Sequence, residues 1–158
     1  MIGRPSFDLV DHQENAVTID TFTGRRCLVF FGFTHCKVVC PRALAKFTDA
    51  LVRVGDEGSD IQGLYISVDP ERDTPGRLAQ FLEPHRRFLG LTGTPEQADA
   101  ARESFGVFAR RRTNPNDPQG YDVPHSSLAY LLDTDGNYVN HWLDSTPLDE
   151  IAEGLRRR

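Results

Sequence analysis

The sequence has no apolar run long enough to cross a membrane, and it is poor in cysteine, methionine and tryptophan. A membrane-spanning helix needs about 20 consecutive apolar residues. The first residues, MIGRPSFDLVDHQ, also lack the apolar centre of a signal peptide. Three cysteines are too few for a disulfide scaffold, and an odd number leaves at least one unpaired. We therefore expect this chain, as given, to be soluble and to fold around an apolar core.

A long basic block is also missing. The net charge is −5, and the basic runs at 24–26, 109–112 and 156–158 are short, so we expect them on the solvated surface and expect no binding to nucleic acid. No internal repeat or linker interrupts the 158 residues. This length suits one domain over residues 1–158 with a real core.

Apolar patterns predict strands that alternate with helices. CLVFFGF (27–33) is a continuous apolar run, typical of a strand buried on both faces, and IQGLYISV (61–68) predicts a second buried strand. FDLV and AVTI predict two N-terminal strands, SSLAYLLDTDGNYVNHWL predicts a late hairpin, and residues 110–124 predict a polar loop. The order indicates an α/β, thioredoxin-like mixed central sheet flanked by helices, with an N-terminal strand extension and a C-terminal β-hairpin plus helix.

Two cysteines stand four positions apart in FGFTHCKVVCPRAL. A residue before proline is biased away from helix, so we predict that the helix begins at Pro41 and that Cys36 to Cys40 form the loop ahead of it. The positive end of the helix, with Lys37 between the thiols, predicts a lowered pKa for both. Such a pair can bind metal, exchange disulfides or attack a substrate; a structural disulfide or inert thiols is the other interpretation.

The donor types favour copper among the metals. Two thiolates suit Cu(I), and one imidazole would complete a three-coordinate site. A structural zinc site would want four ligands, and the sequence has no second Cys or His pair with suitable spacing. His125 follows the long polar loop and opens an apolar strand, which in a thioredoxin-like fold faces the cysteine loop. His12, His85 and His141 are predicted to be surface or structural residues. His35 adjoins Cys36 but would point to the opposite side of an extended chain, so it is expected at most to support a metal ligand and not to bind the metal.

The stretch SVDPERDTP (67–75) ends the second central strand with carboxylates. Asp73 or Thr74 is predicted to cap the following helix. Asp69 could orient a metal ligand without binding the metal itself. Cys27 opens an apolar strand and is predicted to be a small buried hydrophobe.

These motifs together resemble the Sco/SenC family. FGFTHC followed by CP, then ISVDPERDTP, GLTGT, and Y-x-V-x-H-S followed by YLLDTDG occur in the family's order from about Phe7 to the C-terminal helix. The resemblance implies a thioredoxin-like protein that binds one copper ion, Cu(I) or Cu(II), through Cys36, Cys40 and His125. It implies copper delivery to the dinuclear copper site of cytochrome c oxidase, or reduction of that site's thiols.

The resemblance also implies partners and a location. The partner would be the copper-bearing subunit of cytochrome c oxidase, or another copper or thiol protein. Family members are usually tethered by an N-terminal membrane helix, so a periplasmic or membrane-anchored protein facing the periplasm is expected. We expect a monomer that is not a classical enzyme.

The sequence departs from the family pattern at two places. Lys37-Val38-Val39 stands where the family usually has Pro-Asp-Val, and Lys37 could offset the −1 charge of Cu(I) with two thiolates or could favour thiol chemistry. Pro124 precedes the histidine where the family often has Asp, and Val123–Pro124 is a candidate cis bond. Lys37 and Pro124 are thus predicted to tune the site without binding the metal.

Two other functions compete with copper binding. A thiol–disulfide oxidoreductase would use Cys36 as the attacking thiol and Cys40 as the resolving one, with a Cys36–Cys40 disulfide as the oxidised form. A peroxiredoxin-like peroxidase is the third hypothesis, because VVCP resembles the peroxidatic loop of that related family. Cys40 would then attack peroxide, aided by Arg42 and Thr34, although their spacing is not the usual one.

Overall fold

The structure is a computed structural model that describes residues 3–34, 39–106, 112–113, 121–122, 128–143 and 145–156, with only the backbone for 39–41, 112–113 and 121–122. The strands are β1 (Asp8–Asp11), β2 (Ala16–Thr18), β3 (Cys27–Gly32), β4 (Gln62–Ser67), β5 (Phe88–Thr92), β6 (Arg112–Thr113), β7 (Tyr121–Asp122), β8 (Leu128–Leu132) and β9 (Tyr138–Leu143). The helices are α1 (Val39–Val54), α2 (Pro75–Phe81), α3 (Pro95–Phe105) and α4 (Leu148–Arg156). None of the helices in these ranges is long and apolar enough to span a bilayer.

Seven strands form one mixed sheet in the order β2-β1-β5-β4-β3-β8-β9. β3, β4 and β5 run parallel at its centre, while β1 and β8 flank them in antiparallel pairing. The N-terminal strands and the C-terminal hairpin plus helix were both expected from the sequence. The predicted mixed sheet is therefore confirmed.

The stretch predicted to be only a polar loop contains a short ladder. β6 and β7 pair with each other in antiparallel fashion, apart from the main sheet. Two-residue strands carry no apolar periodicity, so a pattern search over 110–124 could not find them.

The central strand β3 is buried on both faces because its side chains alternate between two apolar clusters. Val29 and Phe31 lie in one cluster, and Leu28 and Phe30 lie in the other. All six residues of β3 are buried. The continuous apolar run therefore has the cause that the sequence indicated.

Helices cover both faces of the sheet. α1, α2 and α4 pack on the face that holds Phe30, with contributions from Phe47, Leu78 and Ile151. α3 packs on the opposite face through Phe105, whose ring meets Phe31 at 5.1 Å between centroids. The sheet is thus held rigidly on each side, and its strand ends form a fixed platform for the connecting loops.

The start of α1 differs from the prediction. The helix begins at Val39, so Cys40 lies in its first turn and not in a loop ahead of Pro41. Proline is tolerated in the first turn because the N–H it lacks has no partner there. The bias of a residue before proline against helix is a preference, and here the helix overrides it.

Candidate metal centre

Most of the predicted site residues lie outside the described residues. These are Cys36, Lys37, Pro124 and His125, together with His35 and the Val123–Pro124 bond. Of Cys40 the structure describes only the backbone, in the first turn of α1. Within the described part of the chain, no group of three or more His, Cys, Asp or Glu side chains could hold a metal ion.

The segments that carry the predicted ligands adjoin neighbouring strand ends. β3 and β8 pair in antiparallel fashion with Phe30 opposite Ala129. Antiparallel pairing puts the carboxyl end of β3 and the amino end of β8 at the same edge of the sheet. Thr34 and Leu128 both lie at this edge; in the sequence Thr34 precedes residues 35–38, and Leu128 follows residues 123–127.

A buried carboxylate ties this edge together. Asp73, with no solvent exposure, accepts hydrogen bonds from the Thr34 backbone N–H at 3.1 Å and the Thr34 hydroxyl at 2.5 Å. The hydroxyl of Ser67, the last residue of β4, donates to the same carboxylate at 2.7 Å. Asp73 thus joins the chain leaving β3 to the chain leaving β4.

Burial raises the pKa of Asp73 above its usual range, and the neighbouring Asp69 raises it further. The hydrogen bonds donated by Thr34 and Ser67 act in the opposite direction, because they favour the ionised form. Burial is the largest of these effects. Ionisation of Asp73 therefore costs free energy that the hydrogen bonds from Thr34 and Ser67 only partly offset.

Thr74, and not Asp73, caps α2. The Thr74 hydroxyl accepts a hydrogen bond from the Arg77 backbone N–H at 3.3 Å, and Pro75 stands at the start of the helix. The sequence offered both residues as caps. The structure assigns the cap to Thr74 and leaves the Asp73 carboxylate free to bind Thr34 and Ser67.

Asp69 is buried and forms an ion pair with Arg72 three residues later. The Arg72 guanidinium lies 5.9 Å from the centroid of Phe33, one residue before Thr34. The Asp69 backbone N–H donates to the Ser67 hydroxyl oxygen at 3.0 Å. Asp69 thus stabilises the same edge, and its influence on a metal ligand stays a prediction.

Three histidines have local roles, as predicted. His12 Nδ1 accepts a hydrogen bond from the Gly90 backbone N–H at 3.0 Å, and His141 lies against Tyr138 on edge strand β9. His85 Nδ1 lies 3.0 Å from the Thr48 hydroxyl, and burial lowers the pKa of His85.

Cys27 is buried within β3 at 2% exposure. Desolvation raises the pKa of its thiol to about 12, so the reactive thiolate is scarce at neutral pH. The prediction that Cys27 is a small buried hydrophobe is confirmed.

Sequence reasoning missed the network around Thr34. Thr34 entered only as a peroxidase candidate, yet its hydroxyl donates to Asp73 and accepts from Arg77 Nε at 2.5 Å. A weak signal existed, because Thr34 and Ser67 both lie where central apolar runs give way to polar residues. Only the pairing of β3 with β4 shows that one carboxylate reaches both.

Comparisons with known proteins agree with one another. The family model described as SCO1/SenC matches residues 2–158. An SCO2-like protein of Rickettsia felis is 38% identical over 152 residues, which cover 95% of this chain and 74% of that protein. The mitochondrial SCO2 homologue of Bos taurus is 35% identical over 159 residues, which cover 99% of this chain and 59% of that protein.

Solved structures show the same fold. Arabidopsis thaliana ScoI with copper bound has a TM-score of 0.91 and 31% identity, over 99% of this chain and 96% of that one. Bradyrhizobium japonicum ScoI with copper bound has a TM-score of 0.85 and 34% identity, over 96% of each chain. BsSco, a member of the Sco family of cytochrome c oxidase assembly proteins in which a disulfide switch was identified, has a TM-score of 0.75 and 26% identity, over 98% of this chain and 91% of that one. The predicted thioredoxin-like architecture is confirmed.

Proposed function

This chain belongs to the SCO1/SenC family, and from that premise we propose that it binds one copper ion through Cys36, Cys40 and His125. Copper is the cargo, which the chain passes to the dinuclear copper site of cytochrome c oxidase. Copper-bound relatives from two organisms support the choice of metal. The role in assembly is supported by BsSco, which is described as one of the cytochrome c oxidase assembly proteins.

The donor chemistry supports the choice of ligands. Cys36 and Cys40 would supply two soft thiolates, and His125 would supply one imidazole, a set that suits Cu(I). Cys40 lies in the first turn of α1, where the partial positive charge of the helix favours a thiolate. Lys37 would add positive charge beside the two thiolates.

The observation that carries the proposal is the pairing of β3 with β8. Cys36 follows Thr34 by two residues, and His125 precedes Leu128 by three. An extended chain spans at most about 3.6 Å per residue, so the Cα atom of Cys36 can be no farther than about 7 Å from that of Thr34, and the Cα atom of His125 no farther than about 11 Å from that of Leu128. Neighbouring strands are only about 5 Å apart, so the connectivity allows one ion to be reached from both segments.

We propose that the partner is the copper-bearing subunit of cytochrome c oxidase and that the chain acts as a monomer. We further propose that it works on the periplasmic face of a membrane. The support is the family itself, whose members usually carry an N-terminal membrane helix; the relative from Bos taurus is described only as mitochondrial.

A copper titration tests the ligand set. The reduced chain is titrated with Cu(I) against a competing chelator, beside Cys36→Ser, Cys40→Ser and His125→Ala. We expect one copper per wild-type chain, loss of tight binding in both serine variants, and weaker binding in His125→Ala. Affinity should also fall at low pH, because thiolates and imidazole must lose protons to bind copper.

His85→Ala is the matched control, since His85 lies between α2 and the start of β5, at the opposite edge of the parallel strands. It should bind copper as the wild type does. Unchanged stoichiometry and affinity in His125→Ala would refute the three-ligand model. Equal losses in His85→Ala and His125→Ala would refute a specific role for His125.

Thiol–disulfide exchange is the second candidate, favoured by the disulfide switch identified in BsSco. In this role Cys36 would attack a substrate disulfide, and Cys40 would resolve the mixed disulfide and release the reduced substrate. The test is turnover on a disulfide substrate, together with the reduction potential of the Cys36–Cys40 pair. A strongly reducing pair with no turnover would remove this candidate.

A further inference from the structure

Asp73 is not a proposed copper ligand, yet its carboxylate binds Thr34, which stands two residues before Cys36 in the chain. We propose that Asp73 is a positioning residue that fixes Thr34 against the end of β4 and so determines how closely Cys36 is held to Cys40. This inference rests on the proposed function, because it concerns the same two thiols.

Hydrogen bonds from Thr34 and Ser67 hold the Asp73 carboxylate between these two residues. Asp73 Oδ2 accepts from the Thr34 backbone N–H at 3.1 Å and from the Ser67 hydroxyl at 2.7 Å. Asp73 Oδ1 accepts from the Thr34 hydroxyl at 2.5 Å. Hydrogen bonds to a carboxylate are about twice as strong as those between neutral groups. Thr34 is therefore held by both its backbone and its side chain.

The groups that hold Thr34 are themselves fixed by β4 and by the start of α2. Ser67 pairs with Gly32 across the β3–β4 ladder and, like Asp73, has no solvent exposure. The Asp73 backbone N–H donates to the Asp69 carbonyl at 2.9 Å, just ahead of α2. The Asp73 carboxylate thus links Thr34 to β4 and to the start of α2.

Arg77 holds the Thr34 hydroxyl from the other side. Its Nε donates to Thr34 Oγ1 at 2.5 Å and lies 3.9 Å from Asp73 Oδ1. The hydroxyl therefore donates to Asp73 and accepts from Arg77 at the same time. Removing this hydroxyl alone loosens Thr34 while leaving its backbone bond to Asp73.

The described residues on either side of 35–38 are both held in place. Thr34 is held at one end, and α1 begins at the other and packs on the sheet through Leu44 and Phe47. Fixing the ends of a short segment limits the volume that Cys36 can explore around Cys40. Chelation of copper and closure of a disulfide both depend on this effective concentration of one thiol at the other.

The experiment compares wild type, Asp73→Asn, Thr34→Val and the double variant. Asp73→Asn keeps the size of the side chain but replaces one acceptor oxygen with an NH₂ group, so at least one donor loses its partner. The reduction potential of Cys36–Cys40 is measured by equilibration with a dithiol buffer. Cu(I) affinity is measured by chelator competition.

We expect about a tenfold fall in effective concentration in Asp73→Asn, the size that loss of one hydrogen bond to a charged group produces. The pair should become less reducing by about 30 mV, which is tenfold for a two-electron couple. Cu(I) affinity should fall about tenfold. Thr34→Val should change the reduction potential and the Cu(I) affinity in the same directions as Asp73→Asn, but by less. The double variant should match Asp73→Asn, because the two substitutions loosen the same contact between Asp73 and Thr34.

Asp11→Asn is the matched control. Asp11 is also buried, and its Oδ1 accepts the backbone N–H groups of Gln13 and Asn15 at 2.9 Å each. It lies on β1, three positions from β3 in the sheet. It should lose stability but keep the wild-type potential and copper affinity.

The inference is overturned if Asp73→Asn keeps both wild-type values, or if Asp11→Asn shifts them equally. If Asp73→Asn does not fold, Thr34→Val decides alone, and wild-type values in that variant overturn the inference. A failure of the copper proposal gives a distinguishable result: the wild type would bind no copper, while Asp73→Asn would still shift the reduction potential of the Cys36–Cys40 pair.

Discussion

Gly32, the last residue of β3, offers a quantitative test of the packing beneath the cysteine segment. A Cβ atom added at Gly32 would lie 2.6 Å from the Tyr65 hydroxyl oxygen and 3.0 Å from the carbon that bears it. Tyr65 is fully buried and packs against Phe30 and Phe81, with ring centroids 5.9 Å and 5.6 Å away. In Gly32→Ala the Tyr65 ring must therefore shift, although Phe30 and Phe81 pack against it.

The expected loss follows from two opposing effects. Overpacking of a core typically destabilises by about 1–3 kcal/mol, and so close a contact indicates the upper end. Replacing glycine by alanine regains about 0.5–1 kcal/mol of chain entropy. We expect a net loss of about 2 kcal/mol for Gly32→Ala, which lowers the melting temperature by about 4–8 °C in a protein of this size.

Urea unfolding followed by the fluorescence of Trp142 measures this loss, because Trp142 is the single tryptophan and is buried. Gly76→Ala is the control: Gly76 lies on α2, and an added Cβ atom would meet nothing within 4 Å. This variant should gain about 0.5–1 kcal/mol. A Gly32→Ala protein as stable as the wild type would refute the reasoning.

Three further outcomes are expected. Alkylation of the folded, reduced chain near neutral pH should leave Cys27 unlabelled, because burial raises the pKa of its thiol to about 12; peptide mass mapping that finds label there before unfolding would contradict this. Arg26→Met should destabilise by about 3 kcal/mol in urea unfolding, because the Arg26 guanidinium donates to Asp60 at 2.9 Å and to the Leu155 carbonyl at 2.8 Å; a loss below about 1 kcal/mol would argue against the pair. Burial raises the pKa of Asp73. The free energy of unfolding that Asp73 contributes is therefore fully present below pH 3.8, the ordinary pKa of an aspartate, and is lost as pH rises through the raised pKa. The stability gap between wild type and Asp73→Asn should therefore narrow as pH rises above about 4, and a gap that widens in urea unfolding would refute this sign.

Much of the fold could be predicted because its central elements carry strong local signals. The apolar run that became β3 needed no partner to be recognised, since strands buried on both faces are nearly continuous in apolar residues. The caps of α3 also depend on short sequence spacing: Thr94 and Gln97 bond each other's backbone, and Gly106 ends the helix with a φ of 72°. The start of α1 was missed because a weak preference at Cys40 was taken as a boundary.

The candidate site was predictable only in part. Residue types and spacing indicated a thiolate pair, and the ordered motifs indicated the family that the comparisons then showed. Asp73 was predicted chiefly as a helix cap, since a carboxylate before a helix has the same local sequence whether it caps the helix or points into the core. Its actual partner Thr34 is 39 residues away in the chain, beyond the reach of any local pattern.

The sequence by itself determined the alternation of strands and helices, the burial of the central strands and the chemistry available to Cys36, Cys40 and His125, because these depend on residue type and short spacing. The tertiary structure alone decided which strand ends meet. Pairing of β3 with β4 on one side and β8 on the other brings distant segments to one edge of the sheet. There Asp73 can hold Thr34, because a carboxylate binds whichever donors the folded chain places around it.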